Sequence, residues 1–207
     1  MVRRRRVVIA ADARALGSGG IPVSPRISSG SLGSRKLRSP KGMHVRPTPG
    51  RVKESLFSIL AERLEGAAFL DLYAGTGAIG FEAASRGAGR VVVVEAHRET
   101  AQAIEEAARE LGVTDAVTVV AAPAERALYR LEGTFGLVYL DPPFAQTMPL
   151  QVFKLLRERG LLEPDALVIY EHPARAILPE VPGFRSVREE VYGDVALAFF
   201  APESRAD

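Results

Sequence analysis

The residues of this chain best placed to do chemistry are Asp141-Pro142-Pro143-Phe144. They follow Phe135–Leu140, a short apolar run that is typical of a buried strand. Each proline lacks an N–H and holds the residue before it in extended conformations, so the carbonyls of Asp141 and Pro142 face a ligand without a competing donor. Phe144 adds a flat face for a planar ring. This loop indicates a site that holds an amine attached to a flat heterocycle.

A second candidate site is a glycine-rich loop that follows the first strand of the main domain. It reads Asp71-Leu-Tyr73-Ala-Gly75-Thr-Gly77-Ala-Ile-Gly80. The three glycines satisfy the pattern G-x-G-x-x-G, and Glu95 ends the next strand about 20 residues after the loop, as a dinucleotide fingerprint requires. Taken alone, this pattern predicts an NAD-dependent dehydrogenase. The alternative at this point is a glycine turn that serves only close packing of a helix on a strand.

Two carboxylates favour a different adenosine cofactor. Asp71 lies at the end of its strand, four residues before the first glycine, where its charge repels a pyrophosphate but suits a sulfonium or an ammonium group. Glu95 fits any adenosine cofactor without a 2′-phosphate, because a carboxylate accepts hydrogen bonds from the ribose hydroxyls. The adenosine cofactor with a positive head and no phosphates is S-adenosylmethionine.

Length and composition limit the class of protein. The chain has 207 residues, which is enough for one α/β domain with an appendage. It has no cysteine, which excludes disulfides, thiolate nucleophiles and metal sites with cysteine ligands. Its apolar runs are shorter than the roughly 20 residues of a membrane span. The three scattered histidines, His44, His97 and His172, are expected to be ordinary surface or loop residues rather than ligands of zinc.

Charge is unevenly distributed along the chain. Residues 1–53 hold thirteen basic residues and one acidic residue, whereas the remainder holds fourteen basic and twenty-four acidic residues. A basic appendage on an acidic body predicts a phosphate backbone as partner. The first aromatic residue is Phe57, so the appendage is expected to grip phosphates rather than to stack on bases. The candidate RNA-binding residues are Arg35, Lys36, Arg38, Lys41 and Arg46.

The N-terminal region is expected to contain an extension and a small hairpin. Arg3 to Arg6 and the apolar residues after them imitate a signal peptide, but Asp12 and Arg14 interrupt the apolar region. An organelle transit peptide is a weaker alternative, and residues 1–25 are predicted to be a disordered basic extension. The alternation from Ile27 to Arg38 predicts a small basic β-hairpin. Residues 26–47 are assigned to this appendage and 48–207 to the main domain.

From Thr48 onward, helix and strand patterns alternate. Thr48 and Pro49 are expected to open a helix that Gly66 ends. The predicted strands are 67–73, 90–95, 116–121, 135–140, 166–170, 184–191 and 195–200, and the later helices are 78–86, 99–111, 124–131 and 150–159. This rhythm predicts a doubly wound, mostly parallel sheet of seven strands. Because no helix separates the last two strands, one strand at that edge is expected to run antiparallel.

Together these segments resemble a known family of enzymes. The glycine loop, Glu95 and the Asp-Pro-Pro-Phe loop resemble the class I S-adenosylmethionine-dependent methyltransferases, whose fold is Rossmann-like. The stretches from Gly30 to Gly42, from Arg46 to Thr48 and from Arg51 to Phe57 resemble the RsmD family. The resemblance runs from about Ile27 to Phe200. It implies a cytoplasmic, monomeric enzyme that methylates the exocyclic N2 of a guanine in bacterial 16S ribosomal RNA.

The resemblance also implies roles for the residues around the cofactor. The residues expected to surround the methionine part of the cofactor are Asp71, Tyr73, Gly75 and Gly77. Glu95 is expected to bind the ribose, and the backbone N–H of Ala124 the adenine. One departure concerns Pro123, because family members often carry Asn or Asp at that position. Their side-chain contact to the adenine amine is therefore lost here. The family also places Arg46-Pro47-Thr48 and the following helix over the cofactor cleft.

The expected chemistry is methyl transfer to an aromatic amine. Asp141 and the carbonyl of Pro142 would each accept an N–H of the guanine amine and hold it in the attacking geometry. Phe144 would stack on the base, which must leave its own stack or already be unpaired. No metal is required for this reaction.

Three other interpretations remain open from the sequence. A dehydrogenase would use the glycine loop but leaves the Asp-Pro-Pro-Phe loop and the basic appendage without a role. An amino-methyltransferase that acts on adenine or on a protein amide nitrogen would share both the loop and the cofactor. A non-catalytic RNA-binding module would need no cofactor at all.

Overall fold

Strands and helices alternate along most of the chain. The computed structural model describes residues 7–8, 26–37, 50–143 and 147–204. In chain order the elements are β1 (Val7–Val8), α1 (Gly50–Ile59), α2 (Ala61–Leu64), β2 (Ala68–Leu72), α3 (Ala78–Ser85), β3 (Arg90–Glu95), α4 (Arg98–Leu111), β4 (Val117–Ala121), α5 (Ala124–Leu128), β5 (Phe135–Leu140), α6 (Leu150–Glu158), β6 (Leu162–Pro173), β7 (Phe184–Tyr192) and β8 (Val195–Pro202).

The strands form a single mixed sheet in the order β1-β7-β8-β6-β5-β2-β3-β4. The five neighbouring strands β6, β5, β2, β3 and β4 are all parallel to one another. Strand β8 is antiparallel to both of its neighbours, β6 and β7. The prediction of a doubly wound, mostly parallel sheet with an antiparallel strand near one edge is confirmed. β7 and β8 must be antiparallel because the short turn at Gly193 joins them directly, and a parallel pair needs a longer crossover.

The structure adds an eighth strand, β1, to the seven that were predicted. Its two residues, Val7 and Val8, pair in parallel with Glu190 and Val191 of β7. They belong to the extension that was expected to be disordered, and the rest of residues 1–25 lies outside the described residues.

Helices cover both faces of the sheet, so the central strands are apolar on both sides. All six residues of β5 are buried. On one face, α1, α3 and α4 pack through Phe57, Phe81 and Ile104 against a core that includes Phe69. On the other face, α5 and α6 contribute residues such as Leu128 and Phe153 to a second core.

The segment predicted as one helix up to Gly66 is two helices. α1 and α2 are separated at Leu60, where the N–H of Arg63 bonds to the Leu60 carbonyl three residues earlier at 2.9 Å. This tighter turn keeps both Leu60 and Leu64 buried. The predicted helix start, Thr48 and Pro49, lies outside the described residues.

Residues 26–37 fold back on themselves and pack on the main domain. The predicted hairpin has one antiparallel bridge, between Arg26 and Lys36. The N–H of Ile27 donates to the Arg35 carbonyl at 3.0 Å, and the N–H of Ser34 donates to the Ile27 carbonyl at 2.9 Å. This segment is therefore a tight turn with a single bridge rather than two regular strands.

The sheet order reverses between β2 and β5. From β2 the chain proceeds outward through β3 to β4, and from β5 it proceeds in the other direction to β6. Loops that follow neighbouring strands diverge at such a point and leave a crevice at the carboxyl edge, which is where open α/β sheets bind ligands. In the part of the chain that the structure describes, no helix combines the length and apolarity needed to span a bilayer.

Candidate active site

The two candidate sites predicted from the sequence lie side by side at this reversal. Asp71 and Leu72 of β2 are the register partners of Tyr139 and Leu140 of β5. The glycine loop and the Asp-Pro-Pro loop therefore begin from adjacent strand ends, and the N–H of Asp141 points to the Leu72 carbonyl at 3.5 Å. The two loops form the walls of one site.

Asp71 is a buried carboxyl group beneath the glycine loop. Its side chain is 1% exposed, and Oδ2 accepts a hydrogen bond from the N–H of Gly80 at 2.9 Å. Burial raises the pKa of Asp71 to about 7; the bond from Gly80 opposes this shift and the charge of Glu95 adds to it. A cation placed beside this group would favour its ionised form.

The glycine loop is held by its own backbone hydrogen bonds. Gly75 and Gly77 have φ angles of 56° and 73°, values that a residue with a Cβ adopts only under strain. The N–H of Gly75 donates to Glu95 Oε2 at 2.8 Å, and the N–H of Gly77 donates to the Ala74 carbonyl at 2.8 Å. Glu95 Oε1 also accepts from the N–H of His97 at 2.8 Å. The Glu95 carboxylate is thus fixed against the loop.

These hydrogen bonds distinguish between the two cofactor classes that were left open. A dinucleotide fingerprint binds pyrophosphate with backbone N–H groups of its glycine loop and the following helix. Here the N–H groups of Gly75, Gly77 and Gly80 all donate to acceptors within the protein. The segment 71–80 also contains no Lys or Arg. Two carboxylates and no basic residue suit a cationic ligand without phosphates, so the donor set fits S-adenosylmethionine.

Tyr73 joins β2 to the glycine loop in a strained conformation. Its φ angle is 66°, which is uncommon for a residue with a side chain and typical of functional loops. Burial, with the nearby charges of Glu125 and Tyr170, raises the pKa of its hydroxyl. Among the described residues this buried hydroxyl has no hydrogen-bond partner. A buried hydroxyl without a partner is unfavourable, so Tyr73 is suited to bond a ligand in the crevice.

Asp141 lies at the end of β5, close to two other carboxyl groups. Burial raises its pKa to about 8, with further contributions from the charges of Glu171 and Asp71. Pro142 is buried and Pro143 is exposed. Phe144, the predicted stacking ring, lies outside the described residues.

Glu171 is a further carboxyl group at this site, and it was not among the site residues predicted from the sequence. It is 3% exposed, and Oε2 accepts a hydrogen bond from the hydroxyl of Tyr139. Tyr139 itself is two residues before Asp141 and opposite Asp71, so these side chains share one face of the sheet. The strand prediction ended at residue 170, whereas β6 continues to Pro173 in antiparallel pairing with β8. The sequence signal for Glu171 was its position as a charged residue at the carboxyl end of β6, the strand next to the one that carries Asp141.

The expectation that His172 is an ordinary surface or loop residue is wrong. The longer β6 places it inside the sheet, where it is fully buried and its ring stacks on Tyr170 at 5.4 Å between centroids. Burial lowers its pKa. His97 is exposed and its Nδ1 lies 3.0 Å from Thr100 Oγ1, while His44 lies outside the described residues.

Ala124, the residue predicted to contact the adenine, lies at the N-terminus of α5. It is the first residue of α5, after the carboxyl end of β4, and it is buried. The first N–H groups of a helix have no partner within the helix, so a ligand can bind there. Pro123 precedes it with a φ angle of −55° and its side chain is exposed. No side-chain hydrogen bond to adenine is available from this position.

The predicted RNA-binding residues are only partly described. Arg35 and Lys36 are exposed on the segment 26–37. Arg38, Lys41 and Arg46 lie outside the described residues. Within the described ranges, no group of three or more His, Cys, Asp or Glu side chains could hold a metal ion.

Comparison with known proteins gives consistent matches over most of the chain. The sequence model of the family described as Conserved hypothetical protein 95 matches residues 25–201. The protein named Ribosomal RNA small subunit methyltransferase D of Escherichia coli K12 is 35% identical over 183 residues, which cover 88% of this chain and 92% of that protein. The protein of the same name from Haemophilus influenzae is 33% identical over 149 residues, or 70% and 77% of the two chains.

Solved structures share the fold. A hypothetical protein of Thermus thermophilus is 33% identical with a TM-score of 0.71, over 84% of this chain and 97% of that one. An SAH-bound methyltransferase of Podospora anserina has a TM-score of 0.63 over 76% of this chain and 80% of that one. Because the Podospora anserina protein is only 16% identical to this chain, its similarity concerns the fold alone.

Proposed function

Because the chain belongs to the family described as Conserved hypothetical protein 95, the RsmD family, we propose that it methylates the exocyclic N2 of a guanine in bacterial 16S ribosomal RNA. S-adenosylmethionine is the methyl donor, and the enzyme acts as a monomer in the cytoplasm. Residues 26–47 form an RNA-binding appendage, and residues 48–207 form the methyltransferase domain. The observation that carries the proposal is the position of Asp141 and Pro142 directly beside the Asp71 loop at the reversal of the sheet.

The cofactor is held by carboxylates and backbone groups. When bound, S-adenosylmethionine supplies an electrophilic methyl group on a positively charged sulfur. The Asp71 carboxyl, the Tyr73 hydroxyl and the loop of Gly75 and Gly77 surround the methionine part. Glu95 keeps lone pairs for the ribose hydroxyls, because each carboxylate oxygen can accept more than one hydrogen bond. The N–H of Ala124 contacts the adenine.

Asp141 and Pro142 orient the guanine amine. The nitrogen is a poor nucleophile, since its lone pair is delocalised into the ring. The Asp141 carboxylate and the Pro142 carbonyl would each accept one N–H, and together they would hold the amine in a pyramidal geometry with its lone pair free for attack. The same two acceptors stabilise the positive charge that develops on the nitrogen in a site with little water. Stacking on the base is the role proposed for Phe144, which lies outside the described residues.

The protonation of Asp141 sets the pH range of the reaction. With its pKa at about 8, the carboxyl of the free enzyme holds a proton over much of the neutral range. Only the ionised form accepts hydrogen bonds at both oxygens and attracts the developing cation. The proton that the amine loses after methyl transfer passes to Asp141 or to water.

The structure bears differently on two of the alternative functions, a dehydrogenase and an adenine methyltransferase. The dehydrogenase is disfavoured, because the N–H groups of the three loop glycines are already bonded within the protein. An amino-methyltransferase that acts on adenine N6 has the same demands on Asp141 and Pro142, so the substrate base has to be identified by experiment.

The proposal is tested by incubation with S-adenosylmethionine labelled in its methyl group and small ribosomal subunits that lack the modification. The expected product is N2-methylguanosine in digested 16S ribosomal RNA. Label in N6-methyladenosine or in ribosomal protein would contradict the substrate assignment. Naked 16S ribosomal RNA in a parallel reaction shows whether the assembled subunit is required.

A further inference from the structure

The segment 26–37 is fixed to the helix that follows the glycine loop. Two residues of α3, Glu82 and Ser85, accept hydrogen bonds from four of its backbone N–H groups. The N–H groups of Ser28 and Ser29 donate to the Glu82 carboxylate at 2.7 and 3.1 Å. The N–H of Leu32 donates to Ser85 Oγ at 2.9 Å. The Ser85 hydroxyl in turn donates to the Ser29 carbonyl at 2.5 Å. The segment is thus held over several consecutive residues.

Glu82 is the centre of this attachment. It is fully buried, and it forms ion pairs of 2.8 Å with Lys53 of α1 and with Arg86. Although burial opposes it, the hydrogen bonds from Lys53, the Ser28 N–H and Arg86 hold the pKa of Glu82 below its ordinary value. Lys53 Nζ also donates to the Arg26 carbonyl. One buried carboxylate therefore connects α1, α3 and the base of the turn.

This attachment gives the turn an inner and an outer face. Ile27 and Leu37 are 1% and 2% exposed and belong to the core beneath. Arg26 directly precedes Ile27, and Lys36 directly precedes Leu37. Arg26 and Lys36 are bridge partners, and both are exposed. Because directly opposite residues of an antiparallel pair point to the same side, these two cationic side chains lie next to each other on the outer face.

A pair of like charges in this position is unfavourable without an anion. Opposed like charges destabilise a strand pair. The segment 26–37 contains no Asp or Glu that could offset them. Arg35 of the same segment is also exposed. The charge pattern and the fixed backbone together suit an anion that approaches from solvent, and a phosphate group has the required charge and size.

We propose that Arg26 and Lys36 form a preorganised clamp for a phosphate group of the RNA backbone, held in position by the docking of the turn on Glu82 and Ser85. Arg26 was not among the RNA-binding residues predicted from the sequence. The proposal rests on the proposed function, because it takes ribosomal RNA to be the substrate. The clamp positions RNA and takes no part in the methyl transfer itself.

The first test removes the two charges. In the double variant R26Q/K36Q, we expect binding to unmodified small subunits to weaken at least several-fold. The slope of the logarithm of the binding constant against the logarithm of salt concentration should fall in magnitude by about 1 to 2. Affinity for S-adenosylhomocysteine should not change. The matched control is R109Q/R185Q, which removes two exposed charges elsewhere and should leave the slope unchanged.

The second test displaces the turn while all charges remain. A Cβ at Gly30, which has a φ angle of 81°, would lie 1.9 Å from the Ser85 carbonyl oxygen, so Gly30→Ala prevents the observed docking. The KM for RNA should rise several-fold, while kcat at saturating RNA and the affinity for S-adenosylhomocysteine stay close to wild type. Gly112→Ala is the control, because Gly112 also has a positive φ angle, 70°, but open space around its Cβ position.

The outcomes separate the clamp from the proposed function. If the wild-type protein transfers no methyl group to ribosomal RNA, the proposed function fails. If the wild type does so and R26Q/K36Q retains both its RNA affinity and its salt slope, the clamp is wrong while the proposed function stands. Loss of RNA affinity in R26Q/K36Q with normal affinity in Gly30→Ala would refute the role of docking.

Discussion

Two carboxyl groups, the buried Asp71 and the half-buried Asp141, lie at neighbouring strand ends beside the crevice. Their pKa values are raised to about 7 and about 8, chiefly by burial. A site with two such groups binds a cation more strongly when both are ionised, because each negative charge then attracts the cation. The positive sulfur of S-adenosylmethionine is such a cation, whereas S-adenosylhomocysteine has a neutral sulfur there.

This difference predicts how binding responds to pH. The affinity for S-adenosylmethionine should rise relative to that for S-adenosylhomocysteine between about pH 6 and pH 8. A bound cation lowers the pKa of Asp71 and Asp141, so its binding releases protons that the free enzyme holds. Because binding releases protons, the affinity for the cation increases as the pH rises. Calorimetric titration of both ligands across this range measures the effect. Asp71→Asn should reduce the difference, and parallel pH curves for the two ligands in the wild type would count against these charges at the sulfur.

The residues of the site differ in how far the sequence could predict them. Asp71, Glu95 and Asp141 each follow or end an apolar strand, and strand ends are visible in a single sequence. Glu171 and Glu82 acquire their roles through partners 32 and 54 residues away, Tyr139 and Ser28. Pairing over such distances depends on the assembled sheet, so local patterns do not encode it.

At the scale of the elements, α3 connects the proposed cofactor site with the turn that we propose to bind RNA. Its first turn supplies the Gly80 N–H that binds Asp71, and its second half supplies Glu82 and Ser85, which hold the turn 26–37. Gly80 packs so closely on β3 that an added Cβ would lie 2.6 Å from Val93 Cγ2. The helix can therefore keep its distance from the sheet only with glycine at this position.

Gly80→Ala should destabilise the protein by about 1–3 kcal/mol, the usual cost of overpacking a close contact. It should also weaken binding of S-adenosylhomocysteine, because the displaced helix pulls its N–H away from Asp71. Chemical denaturation and ligand titration give the two quantities. Gly50→Ala serves as control: among the described residues no atom lies within 4 Å of the Cβ position of this helical glycine, and the change should be neutral or slightly stabilising. Equal stability of the two variants would refute the packing argument.

Element types were predictable from the sequence, whereas some lengths were not. Alternation of apolar strands with amphipathic helices gave the sheet and its antiparallel strand. The break at Leu60 and the extension of β6 to Pro173 arise from tertiary contacts. At Leu60 a tighter turn keeps two leucines, Leu60 and Leu64, in the core. In β6, pairing with β8 continues the strand through Glu171 and His172.

At the scale of the whole molecule, charge is divided between the N-terminal part and the rest. Residues 1–53 carry a net charge of +12 and residues 54–207 a net charge of −10. An acidic body repels RNA, whereas the basic N-terminal part attracts it. We therefore expect this division of charge to orient the RNA before any specific contact forms.

Methyl transfer to small subunits at limiting RNA should therefore fall steeply with salt. Between 50 and 200 mM salt, we expect a loss of about tenfold or more, since each phosphate contact adds close to one unit to the salt slope. Binding of S-adenosylhomocysteine, measured under the same conditions as control, should change little. A rate of transfer that is independent of salt would contradict electrostatic recognition of the RNA backbone.

In the proposed reaction, Asp141 and Pro142 hold an aromatic amine for attack on a neighbouring methyl group. The most direct measurement is the single-turnover rate of methyl transfer in Asp141→Ala, with cofactor and small subunits both saturating. We predict a rate at least about 10²-fold below wild type, the scale of losing one preorganised polar contact, with binding of both partners retained. Glu106→Ala, which removes an exposed carboxylate on α4, should leave the rate unchanged. An unchanged rate in Asp141→Ala, with both partners bound, would contradict the account.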